Sequence, residues 1–235
     1  MIQPSSSLVL PRNLIFAASV WLIISWGLAL GFATPIQPSS ATYTPGVRVM
    51  FLCVVTGCLI AWPLLRLSQS VSRFPIAQTI LDLLVLLSLA QIVIWPLGLL
   101  TPWPTARTAA IDLTIISSTL LIGAFIAAAI ASSHATTRIL AMSAACALAL
   151  LGPLCAVVTL AFASVPSQST LELSPFILIY ELAAADPSPP QSSQWHCAIF
   201  LSIAACLAWL MLPFALRSFR QAESNIAIHD SAPSA

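Results

Sequence analysis

Two aspartates, Asp82 and Asp112, stand inside long apolar stretches of the sequence. An ionisable side chain in such a stretch is costly to bury, so each one is a candidate functional residue by default. Gln78 precedes Asp82 by one helical turn and shares its helix face, so this pair could form a proton or cation site. The interpretation that we favour for Asp82 is an ion pair with an arginine near the same interface. The arginines concerned are Arg66, Arg73 and Arg138.

Asp112 lies close to the start of the next apolar stretch. A carboxylate near a helix N-terminus is stabilised by the helix dipole, and either Arg107 or Arg48 could pair with it. We expect this structural role for Asp112 and keep a function inside the membrane as the alternative.

Gln91 is the third polar residue at membrane depth. Ser88, Gln91 and Trp95 are spaced i, i+3 and i+7, which places them on one helix face. A glutamine in a membrane usually bonds to a neighbouring helix, which contributes about 1 kcal/mol. The spacing therefore predicts a helix contact at Gln91, with the lining of a transport pathway as the alternative. Asp82, Gln91 and Asp112 form the set of candidate transport or intramembrane polar residues.

Small residues recur at helical spacing in two of the apolar stretches. Gly27 and Gly31 form a GxxxG pair, and Gly123 and Ala127 repeat the same spacing. Small side chains allow helix backbones to approach closely in lipid. These four residues are predicted to pack helices together, either within the chain or against a second protein.

The sequence lacks the patterns that catalysis or cofactor binding requires. Its three histidines do not form a metal-protease or haem-ligand pattern, and it has no Gly-rich phosphate loop or paired-cysteine motif. We therefore predict no catalytic residue, no cofactor, no metal site and no enzymatic activity. Eight arginines without any lysine, at a net charge of +1, leave no basic run for nucleic acid.

Composition indicates the solvent in which these residues work. Apolar residues make up 59% of the chain and charged residues only 6%, against about 25% charged in a soluble domain. An apolar helix of around 20 residues crosses a hydrocarbon layer of about 30 Å. The sequence therefore predicts an all-α integral membrane protein, a bundle of six transmembrane helices. The predicted spans are 14–33, 49–65, 76–100, 109–131, 139–164 and 195–216.

The remaining segments suggest how the chain is organised around these spans. Residues 1–13 are predicted to be a short cytoplasmic tail, 14–217 a polytopic membrane domain, and 218–235 a disordered cytoplasmic tail. Between the last two spans, Ser174 and Pro175 could start a helix too short to cross, so an interfacial helix is expected there. The first span could instead be a cleaved signal peptide, since Arg12 precedes it.

The distribution of arginines predicts the orientation. With the N-terminus inside, six arginines are cytoplasmic and two are outside, which favours both termini in the cytoplasm. The expected location is a bacterial plasma (inner) membrane. The cytoplasmic set is Arg12, Arg66, Arg73, Arg138, Arg217 and Arg220, and the outer set is Arg48 and Arg107.

Six helices with both ends inside and a short outer helix before the last span resemble the membrane subunits of exporters driven by a separate ATPase. This likeness covers topology and rests on no residue motif. It implies a permease-type subunit, similar in topology to an ABC exporter, that lacks its own ATPase and works with a separate ATPase subunit. The alternative is a noncatalytic scaffold or assembly subunit bound to another membrane protein. The sequence does not specify the substrate, partner or oligomeric state.

Overall fold

The computed structural model describes residues 12–30, 40–69, 74–132, 135–161, 174–184 and 188–230, and all regular secondary structure in these ranges is helical. A π-helical turn, Gly57–Ala61, joins the second helix to the third without a break. The helices are α1 (Arg12–Leu30), α2 (Ser40–Thr56), α3 (Trp62–Leu67), α4 (Pro75–Leu100), α5 (Thr105–Ala131), α6 (Ala135–Ala161), α7 (Pro175–Leu182) and α8 (Ser192–Asp230).

Six helices in these ranges are long and apolar enough to cross a membrane, with α2, the π turn and α3 counted as one. Each predicted span overlaps one of them, so the predicted number of spans is confirmed by helix length and composition. Residues 31–33 and 162–164, which the prediction included, lie outside the described residues. We call the end of the bundle where α1 begins the first end, and the end where α1 finishes the second end.

The second span begins at Ser40, earlier than the predicted start at Val49. Pro45 suggested a loop, but a proline near a helix start removes an N–H that has few partners in the helix. Gly46 packs directly against the backbone of Ala29 in α1, which only a residue without a side chain allows. This contact between helices explains why the helix extends into the predicted loop.

The last helix continues to Asp230, so residues 218–230 are helical, whereas the sequence predicted a disordered tail from residue 218. The stretch contains alanine, glutamate, glutamine and arginine, which have good helix propensity. No proline follows Pro213 until Pro233, so nothing in the local sequence stops the helix earlier.

Helix α5 is the centre of the bundle. In its span 72% of the residues are buried, against 11% in α1. It packs most extensively against α8, and then against α4 and α6. Two polar contacts join α5 to α8: the hydroxyls of Ser117 and Ser202 lie 2.6 Å apart, and the Trp209 indole donates to the carbonyl of Leu120 at 2.9 Å.

The predicted helix before the last span is present as α7 and begins at Pro175. Leu178, Ile179 and Leu182 are completely buried, because α7 packs against α2, α5 and α6 at the second end. The apolar side of α7 is therefore covered by the bundle itself, where the sequence predicted a membrane interface.

Candidate functional site

Asp82 on α4 forms an ion pair with Arg66 on α3 near the first end. Arg66 Nε lies 3.2 Å from Asp82 Oδ2, and the two side chains are 11% and 1% exposed. Gln78 Nε2 donates to Asp82 Oδ1 at 3.2 Å. The Trp62 indole nitrogen lies beside the same carboxylate but makes no hydrogen bond of good geometry. The structure therefore supports the ion-pair interpretation of Asp82 and selects Arg66 as its partner.

The π turn brings this ion pair together. The backbone N–H of Trp62 donates to the carbonyl of Gly57, five residues earlier, where an α-helix would use a residue four earlier. One extra residue in the turn rotates everything after it by about 100° relative to α2. Trp62 and Arg66 consequently face α4.

An apolar cavity of about 200 Å³ opens between α1, the α2–α3 segment and α4. The π turn forms part of its wall, together with Trp21, whose indole donates to the carbonyl of Cys53 at 2.9 Å. Trp62 lines the cavity and also stands beside Asp82, so the cavity approaches the ion pair. A hydrocarbon chain fits the chemistry of this lining, whereas an ion would lose its hydration there without compensation.

A second polar cluster joins α4 to α5, and we call it the Gln91 cluster. Gln91 Nε2 donates to Asp112 Oδ1 at 2.5 Å, and the Trp95 indole donates to Gln91 Oε1 at 2.8 Å. The Trp95 indole also lies beside the Asp112 carboxylate, and within the described residues Asp112 Oδ2 receives no hydrogen bond of good geometry. The members of the Gln91 cluster are Ser88, Gln91, Trp95 and Asp112.

The Gln91 cluster faces the outside of the bundle. Trp95 is 44% exposed, and Ile92 and Leu99, on the same stripe of α4, are 69% and 87% exposed. Gln91 and Asp112 are half-buried, and Ser88 is exposed. The cluster thus interrupts a surface that is otherwise apolar, whereas Asp82 lies in the interior.

The two arginines expected near Asp112 instead contact the C-terminal end of α7. Arg107 is buried, and its guanidinium donates to backbone carbonyls beyond the last turn of α7 and to a nearby serine. An arginine at a helix C-terminus satisfies free carbonyls and interacts favourably with the helix dipole. The acceptors are Leu182 O at 3.3 Å, Ala184 O at 3.4 Å and Ser188 Oγ at 3.3 Å.

Arg48 and Trp103 complete this arrangement at the second end. Arg48 Nε donates to the carbonyl of Ala183 at 3.2 Å, and its guanidinium stands 4.3 Å from the centre of the Tyr180 ring. Trp103 donates to the carbonyl of Ala184 at 2.8 Å. Sequence reasoning missed this site. The unsatisfied carbonyls that every helix end carries were the signal that could have indicated it.

The four predicted packing residues fall in different surroundings. Gly123 contacts Leu83 of α4 so closely that a Cβ there would lie 2.8 Å from Leu83 Cδ1, and Ala127 is fully buried. Gly27 has nothing within 4 Å of where a Cβ would stand. Gly31 lies outside the described residues. Of the three predicted packing residues that the structure describes, Gly123 and Ala127 therefore serve close packing within the chain.

Groups that could bind a metal do not assemble in the described part of the chain. No three residues of histidine, cysteine, aspartate or glutamate come together there. All six cysteines are free thiols.

No family model, curated protein or solved structure matches this chain. The likeness to exporter subunits therefore has no support from a relative. The features that bear on function are the two polar clusters and the cavity.

Proposed function

We propose that this chain is an integral membrane protein that serves as a noncatalytic assembly subunit of a membrane complex. The observation that carries this proposal is the outward position of the Gln91 cluster. A carboxylate and an amide on a lipid-facing surface are unfavourable in free energy, because lipid chains offer them no hydrogen bond. Polar groups inside membranes usually face the bundle interior or a second helix. A second protein covering the cluster would remove that cost.

The hydroxyls of the central helix support a role without a polar pathway. Thr114 donates to the carbonyl of Ala110, Ser117 to that of Leu113, and Ser118 to that of Thr114. Hydroxyls that bond one turn back along their own helix are satisfied locally. They are therefore poorly suited to replacing the hydration shell of a passing ion.

The proposal includes a location and an orientation. Six spans put both termini on one side, and the excess of arginine at the first end favours the cytoplasm for that side. The proposed location is a bacterial plasma (inner) membrane, with the first end and both tails in the cytoplasm.

The test uses paired substitutions in the native membrane. Replacing both Gln91 and Asp112 by leucine removes the two partners of their hydrogen bond together and leaves without its acceptor only the indole of Trp95, which is 44% exposed, so the stability of the chain itself should change little. Extraction in mild detergent followed by native gel electrophoresis and mass measurement is expected to show a larger complex for the wild type and a smaller species for this variant.

The matched control removes a polar pair inside the bundle. Ser117→Ala with Ser202→Ala deletes the interior contact between α5 and α8, and the complex is expected to keep its size. A wild-type protein that leaves the native membrane as a lone polypeptide would contradict the assembly proposal.

A permease-type subunit working with a separate ATPase is the second candidate function. It is favoured by the Arg66–Asp82 pair, which lies next to the cavity, because a buried ion pair beside a cavity can act in coupling or substrate binding. It predicts substrate-dependent flux in proteoliposomes or copurification with an ATPase, and Asp82→Asn should stop turnover while assembly survives. Absence of both flux and ATPase under mild extraction would remove this candidate.

A further inference from the structure

We infer that the Gln91 cluster binds a transmembrane helix of a different protein, and that this helix presents an arginine or lysine to Asp112. The inference rests on the proposed assembly function and adds the chemistry of the partner. Three observations carry it: the depth of Asp112, its free oxygen, and the positions of the cations of the chain.

Asp112 stands seven residues into α5, about 10 Å from the start of the helix. The 27 residues of α5 extend about 40 Å. If the helix is centred in a hydrocarbon layer of about 30 Å, it extends about 5 Å beyond the layer at each end. Asp112 then lies about one turn inside the apolar layer. Lipid chains offer no hydrogen bond at that depth.

Gln91 satisfies only part of this carboxylate. Its amide bonds to Oδ1, whereas Oδ2 has no well-formed hydrogen bond among the described residues. A carboxylate can accept about four hydrogen bonds, and a charge in an apolar medium is stabilised mainly by an opposite charge. The unfilled position therefore fits a cation that approaches from outside the bundle.

No arginine whose side chain the structure describes supplies that cation. Arg66 pairs with Asp82, Arg107 and Arg48 are held at α7, and the chain has no lysine. Arg12 and Arg138 lie in the first turns of α1 and α6, which begin at the first end, whereas α5 begins at the second end. For Arg73, Arg217 and Arg220 the sequence predicts the cytoplasmic side of the membrane.

The charges also argue against a second copy of this chain as the partner that covers the Gln91 cluster. A symmetric pair would bring two Asp112 carboxylates towards each other, and like charges at close range in low dielectric repel strongly. A different protein with a basic residue in the first two turns from the second end fits both the charge and the depth. Arginine and lysine near a helix end also extend towards the interface at moderate cost.

The experiment uses the full chain in its native membrane. A benzophenone amino acid replaces Ser88, at the exposed edge of the cluster. Cross-linking is compared among the protein with this probe alone and two versions of it that also carry Asp112→Asn or Asp112→Glu. Asparagine keeps size and hydrogen bonding but removes the charge, and glutamate keeps the charge. As a positional control, the same probe replaces Leu151 on the exposed surface of α6.

The expected result is an adduct from position 88 with a span of another protein that contains arginine or lysine. We expect about tenfold less adduct with Asp112→Asn and near-normal yield with Asp112→Glu, in line with interhelical polar energies in membranes. The probe at position 151 should not give this adduct. Mass spectrometry of the cross-linked peptide identifies the basic residue, and replacing that residue by glutamine should reduce the yield equally.

Four outcomes would overturn the inference. They are an adduct with a second copy of this chain, an adduct with a span that has no basic residue, a yield unchanged by Asp112→Asn, and no adduct from position 88 although native gels show a complex. In each case the assembly function can still stand, because the gels measure it separately. A lone polypeptide on those gels would remove both the inference and the assembly function.

Discussion

Asp82 and Asp112 are the same residue type at similar depths, yet their surroundings differ. Asp82 has a counter-ion within its own chain, since Arg66 reaches it from α3. Asp112 has only neutral neighbours, the amide of Gln91 and the indole of Trp95, and a partly open surface. A buried ion pair is consistent with a structural role for Asp82, whereas an incompletely satisfied carboxylate on an outward surface is consistent with binding for Asp112.

The Arg66–Asp82 pair gives a test of coupling. Asp82→Asn leaves Arg66 as a largely buried cation without its partner, so we expect the free energy of unfolding to fall by about 3–5 kcal/mol. Adding Arg66→Gln removes the unpaired charge and should recover most of that loss. The measurement is SDS-induced unfolding in mixed micelles, analysed as a double-mutant cycle. Additive effects of the two substitutions would show that the pair is not coupled.

Arg107 gives a second test, at the C-terminal end of α7. Arg107→Met keeps a long side chain but removes the guanidinium donor from the backbone carbonyl of Leu182, while the Ala184 carbonyl keeps its hydrogen bond from Trp103, and the loss should cost about 1–3 kcal/mol. Arg138→Met is the matched control, because Arg138 makes no hydrogen bond or ion pair within the described ranges, and a change within about 0.5 kcal/mol is expected. Equal unfolding curves for the two variants would contradict the assigned role of Arg107.

The π turn between α2 and α3 is the element on which the first polar cluster depends. An uninterrupted α-helix from Ser40 would place Arg66 about 100° away from its observed direction. The turn therefore links backbone geometry to the ion pair and also forms a wall of the cavity. Turns of this kind are frequent at functional sites in helical proteins.

The contact between α6 and α7 depends on a single glycine. A Cβ at Gly152 would overlap the side chain of Ser174, so Gly152→Ala forces the two helices apart. We expect a loss of about 1–3 kcal/mol, measured by the same unfolding assay. Gly27→Ala is the matched control, because the space around Gly27 is open, and it should cause no loss. Equal destabilisation by both variants would contradict the packing role of Gly152, because helix propensity by itself favours alanine over glycine.

The bundle as a whole is arranged around α5, with α1, α6 and α8 exposing much of their apolar surface. Exposed apolar surface of this extent is typical of proteins that are surrounded by lipid. Across the described residues, the bundle thus has six helices with the length and apolar composition needed to cross a membrane.

The proposed orientation is testable with reporter fusions. A fluorescent protein that folds in the cytoplasm should be bright after Ala235, and alkaline phosphatase should be inactive there. A fusion after Pro189, at the second end, should show the reverse behaviour. The physical reason is the arginine excess at the first end, which resists translocation. The opposite pattern at both positions would show an inverted protein.

Much of this fold is predictable from sequence because the hydrocarbon layer imposes a simple rule. Apolar runs of sufficient length become helices, and the six spans follow from that rule. The sequence did not predict the start of α2 at Ser40 or the extension of α8 to Asp230, because the local signals at Pro45 and after Arg217 favoured loops. A close contact at Gly46 and an absence of helix-stopping residues outweighed those signals.

The candidate site was also predictable from the sequence only in part. Asp82, Gln91 and Asp112 are identifiable in sequence, since a polar residue in an apolar run is conspicuous whatever the fold. The partners were decided by tertiary structure: Arg66 for Asp82, Gln91 for Asp112, and α7 for Arg107. A choice among several arginines depends on distances of a few ångströms between helices, and no pattern along one chain contains those distances.

Composition and the lengths of the apolar runs thus determined that the chain forms membrane-length helices and how many there are, because burial in hydrocarbon depends on each segment by itself. Only the tertiary structure decided which polar residues lie inside and which lie outside. That distinction depends on the rotation of each helix about its own axis, which is set by contacts such as those of Gly123 with Leu83 and of Ser117 with Ser202.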